Sequence, residues 1–204
     1  RAWWDARLPP APPPETDAPE LPPLPTALIA RPVSRPEVRS NLSAQQALSL
    51  EWERLRALNC WDESAVEEWA DVRMRFKRSG TKCHVGRVFD VCVEKNSELE
   101  QGHPSRKFKG RVVFEGNYVR DENHQAALFR ELGANPASMD ALRVIDAYAM
   151  LPGHVLEQAD AQQAYTQAKL EGTPTWVSLP REAWPSHWDN FQNPVCPLRL
   201  ALYG

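Results

Sequence analysis

The chain is poor in the features that mark secreted, membrane-spanning and zinc-stapled proteins. It has four cysteines in 204 residues, with no C-x-x-C pair and no histidine at zinc-finger spacing. No apolar run approaches the roughly 18 residues of a membrane-spanning helix, and the N-terminus lacks the basic-then-apolar order of a signal peptide. We therefore expect a soluble, unexported, intracellular chain with reduced, mostly packing cysteines. Because it starts at Arg1 and ends on an apolar stretch, both ends look cut from something longer.

Glycine is also scarce, with nine residues, whereas proline is abundant and unevenly placed. The chain has 19 prolines, and 11 of them fall in the first 40 residues. Such a segment cannot bury enough apolar surface to offset its ordering entropy. We predict a disordered Pro-rich linker over 1–40 and a folded domain over 41–204. The P-x-x-P spacing also matches SH3 or WW ligands, although interdomain linkers match so loose a pattern by chance.

Hydrophobic spacing in the rest of the chain predicts an α+β fold, because helix-like and strand-like periods are mixed along it. Ser43 and Gln46 have the spacing of a capping box, which predicts that the first helix begins there. Helices are predicted over about 43–58, 63–74, 122–132 and 135–152. Strands are predicted from about 82 to 93 and over 107–114, 155–161 and 175–179.

The formal net charge of -3 argues against a general nucleic-acid binder, but the charge is unevenly distributed. Residues 72–89 contain six basic side chains and no acid, and 101–114 contain four basic side chains and no acid. On the predicted strand 107–114, one face carries Lys107, Lys109, Arg111 and Val113, and the other carries Phe108, Gly110, Val112 and Phe114. A charge run is usually a solvated surface, yet cations on one face of a hairpin also match the spacing of a polyphosphate.

Asp160 stands at the end of the predicted strand 155–161. Strand ends hold carboxylates rigidly enough to bind a metal ion, although an Asp in this place is more often a cap. One carboxylate cannot form a metal site by itself.

Three blocks in the right order resemble the reverse transcriptase of copia-type retrotransposons. They are the segment from Asp160 to Tyr165, the segment from Lys107 to Val113, and the segments Val195 to Leu198 and Ala201 to Gly204. The resemblance runs from about Ser43 to the last residue and implies a right-hand polymerase, of which this chain holds the fingers and the opening of the palm.

In that family two divalent cations, Mg²⁺ or Mn²⁺, align a primer 3′-hydroxyl with the α-phosphate of a deoxynucleoside triphosphate. The resemblance makes Asp160 the catalytic, first metal-binding carboxylate, and Ala161 a further ligand through its carbonyl. The second carboxylate pair, an aromatic-x-Asp-Asp turn, does not occur in these 204 residues. The implied metal site is therefore incomplete, and we expect the chain alone to be inactive.

The resemblance also implies a set of dNTP-binding residues. Arg111 would clamp the triphosphate with help from Lys107 or Lys109, and Tyr165 would exclude a ribose 2′-hydroxyl as a steric gate. Backbone amides near Gln163 and Ala164 would meet the phosphates.

The implied partners are an RNA template, a DNA primer and the remainder of a Pol polyprotein. That remainder comprises an integrase upstream and the rest of the palm, the thumb and ribonuclease H downstream. The implied location is cytoplasmic particles or the nucleus. The alternative is a non-catalytic relic that binds RNA or a hybrid duplex through the basic hairpin and a partner through the Pro-rich tail.

Overall fold

The computed structural model describes residues 29–127, 138–157, 159, 161 and 164–203. Seven strands and four α-helices lie within these residues, which confirms the expected mixture of α and β structure. The helices are α1 (Arg35–Ser40), α2 (Leu42–Ala57), α3 (Trp69–Ser79) and α4 (Met139–Ala149). The strands are β1 (Ala30–Val33), β2 (Glu67–Glu68), β3 (His84–Lys95), β4 (Lys107–Phe114), β5 (Arg120–Asp121), β6 (Thr175–Ser178) and β7 (Pro194–Pro197).

Strand β3 organises the sheet because its two halves pair with different neighbours. Its first half pairs in parallel with β6 and antiparallel with β5, while its second half pairs antiparallel with β4 and β1. Strand β6 continues to β7, and β7 to β2, so the path is β1-β3-β6-β7-β2 with β4 and β5 also on β3. The hairpin of β3 and β4 confirms the predicted alternating strands.

Helix α2 packs on β4 at a position that only glycine suits. A Cβ on Gly110 would lie 2.5 Å from the carbonyl oxygen of Ala47 and 2.9 Å from Cα of Leu48, both on the backbone of α2. The buried side of α2 carries Leu48, Trp52 and Leu55, as its helical spacing predicts. The predicted cap is wrong, because Asn41 caps the helix by accepting a hydrogen bond from the Ala44 amide at 3.1 Å.

The predicted linker is corrected over its last part. Residues 29–40 contain β1, which pairs with β3, and α1, which Ser34 caps through the Glu37 amide. Pro32 is compatible with β1 because a proline at a sheet edge costs no ladder hydrogen bond when its nitrogen faces away from the partner strand. The predicted linker residues 1–28 lie outside the described residues.

Three other predicted elements also differ from the structure. Residues 63–74 contain a 3₁₀ turn (Glu63–Ala65) and β2 before α3 begins at Trp69, because Val66 and Glu68 are extended. Residues 122–127 form a turn and a bridge rather than a helix, since the Asp121 side chain accepts hydrogen bonds from the amides of residues 123 and 125. Residues 155–157, 159 and 161 form no strand, while 158 and 160 lie outside the described residues.

Helix α4 forms within the predicted range 135–152. The sequence spacing also predicts a buried stripe of Met139, Leu142, Ile145 and Ala149, and this prediction is wrong. Ser138 caps the helix by accepting a hydrogen bond from the Ala141 amide at 3.1 Å, and no residue of α4 is buried. The spacing of Met139, Leu142 and Ile145 indicates an apolar face, but spacing alone cannot supply a surface to cover it.

The core lies between α2, the β3–β4 hairpin and the segment from β6 to β7. Trp188, Leu55, Val112 and Val177 are among its fully buried side chains. All four cysteines are free and buried, as the sequence predicts for packing residues. Within the described ranges, no helix has the length and apolar character needed to cross a bilayer.

Candidate functional site

One face of the β3–β4 hairpin is basic, and we call Lys95, Lys107, Lys109 and Arg111 the basic face. All four side chains are exposed, while Gly110 and Val112 on the opposite side of β4 are buried. The sequence prediction for β4 is therefore confirmed. Lys107 stands directly opposite Lys95 in the register. Like charges in directly opposite positions destabilise a sheet, so an anion bound here would relieve repulsion within the hairpin.

The β4 cations Lys107, Lys109 and Arg111 form no ion pair with an acid among the described residues. Partial burial, followed by the charges of Arg111 and Lys95, lowers the pKa of Lys109, although the charge of Glu51 acts on Lys109 and partly opposes this lowering. A neighbouring anion would oppose this shift by favouring the charged ammonium.

The other predicted basic stretch, residues 72–89, differs because several of its cations are engaged. Arg75 pairs with Glu67, and Arg87 pairs with Glu115 at 2.8 Å. Arg73 donates a hydrogen bond to His124. For these side chains the structure favours the interpretation of an ordinary solvated and salt-bridged surface.

Two segments distant in sequence meet at the edge of β4. Residues 164–170 run beside 198–203, with the Leu170 amide donating to Arg199 and the Ala201 amide to Ala168. The second segment then reaches β4, where the Phe114 amide donates to the Tyr203 carbonyl at 2.5 Å. This backbone pairing places Tyr203 beside the strand that carries the basic face.

Arg111 and Tyr165 both contact the ring of Tyr203. Cζ of Arg111 lies 5.5 Å from the Tyr203 ring centroid. The rings of Tyr165 and Tyr203 have their centroids 4.6 Å apart, with their planes tilted by 56°. Tyr165 is 53% exposed, so a ligand can reach it. The arrangement therefore offers a guanidinium for phosphate oxygens and an accessible aromatic ring for a sugar or a base.

The structure describes two of the four remaining predicted site residues. Ala161 and Ala164 are exposed, whereas Asp160 and Gln163 lie outside the described residues. Among the residues that are described, no group of three His, Cys, Asp or Glu side chains could hold a metal ion. These residues therefore do not by themselves form a site for Mg²⁺ or Mn²⁺.

No sequence pattern assigns a role to Tyr203. Its ring contacts both predicted ligand-binding side chains, Arg111 and Tyr165. No local sequence pattern predicts these contacts, because the three residues are distant along the chain. The only available signal was its place in the last block that resembles the polymerase family. In comparisons with known proteins, no family model, no curated protein and no solved structure matches this chain.

Proposed function

We propose that this chain is the fingers and the opening of the palm of a copia-type RNA-directed DNA polymerase. The observation that carries the proposal is the meeting of Arg111 and Tyr165 at Tyr203. The resemblance assigns these two side chains to the two ends of one ligand, the triphosphate and the sugar. Their proximity supports that assignment, since it would let a single dNTP contact both.

In the proposed site Arg111 binds the triphosphate, and Lys109 and Lys107 add positive charge on the same face. A guanidinium suits this role because it forms paired hydrogen bonds with phosphate oxygens. The ring of Tyr165 lies under the sugar and leaves no room for a 2′-hydroxyl. The backbone near Gln163 and Ala164 completes the phosphate contacts.

The metal ligands in this proposal are Asp160 and the Ala161 carbonyl. Since the described residues do not form a metal site, we assign them no metal-dependent step. The 204 residues contain no Asp-Asp dipeptide, so they lack the carboxylate pair that the family uses. We therefore propose that the chain by itself binds a dNTP but does not extend a primer.

Binding of dTTP to Arg111→Ala tests the triphosphate contact. We expect affinity to fall about tenfold or more, because hydrogen bonds to charged groups contribute about 1.5–3 kcal/mol. Arg143→Ala is the matched control, since Arg143 is an exposed arginine on α4 that pairs with Asp140. Equal dTTP binding by the wild type and Arg111→Ala would refute the assignment.

The remaining assignments need separate measurements. In the Tyr165→Ala variant, we expect the affinity for UTP to approach that for dUTP, which differs from UTP only by lacking the 2′-hydroxyl, because the gate is removed. With template, primer, Mg²⁺ and dNTPs, the wild-type chain should incorporate no nucleotide. Incorporation that disappears in Asp160→Ala would contradict the proposed inactivity.

A second candidate function is a non-catalytic module that binds RNA or an RNA–DNA hybrid. The lack of any ion pair to Lys107, Lys109 or Arg111 among the described residues favours it. Salt-sensitive RNA binding should then be lost in the double variant Lys109→Glu/Arg111→Glu. The double variant Lys77→Glu/Arg78→Glu makes the same charge change at exposed positions of α3 and should retain binding. Equal loss in both would indicate a general charge effect.

A further inference from the structure

The structure shows where residues 1–28, which lie outside the described residues, join the fold. The Ile29 carbonyl accepts a hydrogen bond from the Ser97 amide at 3.2 Å, and the Ile29 amide donates to the Glu98 carboxylate at 3.2 Å. Ala30, the next residue, begins β1 and stands opposite Lys95. The N-terminal residues therefore join the fold at the loop end of the β3–β4 hairpin.

This junction lies at the edge of the basic face. Ala30, Lys95 and Lys107 stand opposite one another across β1, β3 and β4, and opposite residues of antiparallel strands share one side of a sheet. With neighbouring strands about 4.8 Å apart, the backbone of Lys107 lies about 10 Å from that of Ala30. Arg111 is about 13 Å further along β4. Every cation of the basic face is thus within about 17 Å of the junction.

The basic face also has apolar side chains beside its cations. Val91 stands opposite Arg111 and shares its side of the sheet. Val93 has the same relation to Lys109. Val91 is 37% exposed, and Val93 is half-buried. Apolar and cationic side chains in adjacent rows suit a partner that carries both apolar and acidic residues.

Residues 8–28, which we call the acidic proline segment, have this composition. They contain nine prolines and the acids Glu15, Asp17 and Glu20, with no lysine or arginine. The acids are two and three residues apart, which is about 7 and 10 Å in an extended chain. Cations two residues apart on β4 are also separated by about 7 Å. The segment and the face therefore match in charge and in spacing.

The acidic proline segment is long enough to lie on this face. Glu20 precedes Ile29 by nine residues, and Glu15 precedes it by 14. At about 3.1 Å per residue for a proline-rich chain, these spans reach about 28 and 43 Å. Both exceed the distance of about 17 Å to the furthest cation. Because proline fixes φ, such a segment also loses less conformational entropy on binding than an ordinary one.

We propose that the acidic proline segment docks on the basic face of its own chain. Its carboxylates lie against the cations, and its prolines and leucines lie on Val91 and Val93. No cation of the basic face forms an ion pair within the described residues, so docking breaks no existing pair. The docked segment covers Arg111 and competes with a dNTP, and this consequence alone rests on the proposed function.

The test treats the whole chain at low salt with a carbodiimide, which joins a carboxylate to a lysine amine in direct contact. Mass spectrometry then maps the joined peptides. We expect the three acids of the segment to be joined to the three lysines of the basic face. Lys77 and Lys82, which are exposed outside the face, are the controls and should be joined far less often. The products should disappear in about 1 M salt, which screens exposed charges beyond about 3 Å.

Two results of this mapping would overturn the proposal. The first is joining to the control lysines as frequent as joining to the basic face, or no joining to the face at all. The second comes from a mixture of isotopically light and heavy chains, in which the joined peptides should belong to one chain. Light-to-heavy products as frequent as products of one mass would assign the contact to a second copy.

Binding of dTTP measures the consequence of docking. The triple variant Glu15→Gln/Asp17→Asn/Glu20→Gln should bind dTTP at least about threefold more tightly, because apparent affinity rises with the fraction of chains whose site is open. The control removes the same charge at three exposed glutamates elsewhere and should bind like wild type: Glu53→Gln/Glu100→Gln/Glu182→Gln. Equal affinity of wild type and the triple variant would overturn the coverage of Arg111. Joining at the basic face in a chain that binds no dTTP would support the docking and refute the proposed function.

Discussion

Glu94 allows the sharpest test of how the basic hairpin is held in the fold. Its side chain is 6% exposed and accepts hydrogen bonds from Arg31 at 2.7 Å and Arg106 at 2.5 Å. Arg31 comes from β1 and Arg106 from the loop between β3 and β4, so one carboxylate joins three parts of the chain. Replacing Glu94 with Gln keeps the size but removes the charge that both arginines share.

We expect Glu94→Gln to lower the free energy of unfolding by about 2 kcal/mol at neutral pH, the usual size for hydrogen bonds to charged groups. For a fold of this size that loss corresponds to a Tm lower by about 4–8 °C. Arg31 retains a second partner in Glu37, so the loss is smaller than that for an isolated buried ion pair. Urea unfolding followed by tryptophan fluorescence measures the loss in free energy of unfolding. Glu53→Gln, on the exposed side of α2, is the control.

The effect should also depend on pH with a defined sign. Arg106, and then Arg31, lower the pKa of Glu94 from its ordinary value of 4.5, although burial opposes them. A carboxyl whose pKa is lower in the folded state stabilises the fold above its unfolded pKa and loses this contribution as pH falls. The difference between wild type and Glu94→Gln should thus shrink as pH falls below 4.5. A pH-independent difference, or no difference from Glu53→Gln at neutral pH, would refute the reasoning.

Three further predictions concern caps, packing and cysteine reactivity. Asn41→Ala should lower the free energy of unfolding by about 1 kcal/mol, whereas Ser43→Ala should change it little, because Asn41 makes the capping bond. Gly110→Ala should cost about 1–3 kcal/mol in urea unfolding, since its Cβ would meet the backbone of α2; a neutral substitution would contradict that packing. Burial raises the pKa of Cys60 and Cys83 to about 11, so a thiol reagent at pH 8 should react with the four buried cysteines only after denaturant is added. Rapid reaction of the native chain would contradict their burial.

The elements that the sequence predicts well are those with a long, local pattern. Helix α2 has apolar residues at steps of three and four, and β4 alternates basic residues with Phe108, Gly110 and Val112 from Lys107 to Val112. The pattern in β4 correctly predicts that the side chains of Lys107, Lys109 and Arg111 are exposed. A periodic pattern identifies which side of an element is polar, and this is sufficient when a neighbouring element covers the other side.

The elements that were missed depend on contacts distant in sequence. Strand β1 has four residues with a proline among them, so it resembles a linker until its pairing with β3 is known. In α4 the spacing of Met139, Leu142 and Ile145 predicts a buried stripe. Burial, however, needs a partner surface, and the spacing does not specify one. Tyr203 joins the candidate site through a backbone bond to Phe114, and only the folded chain brings these residues together.

The central claim is that a deoxynucleoside triphosphate binds where Arg111 and Tyr165 meet Tyr203. Photolabelling with dATP that carries an aryl azide on its γ-phosphate tests it most directly, with peptide mapping by mass spectrometry. The account predicts that the label falls on β4 or on segments 164–170 and 198–203, and that unmodified dATP competes it away. Competed labelling that maps elsewhere, or labelling that persists in Arg111→Ala, would contradict the account.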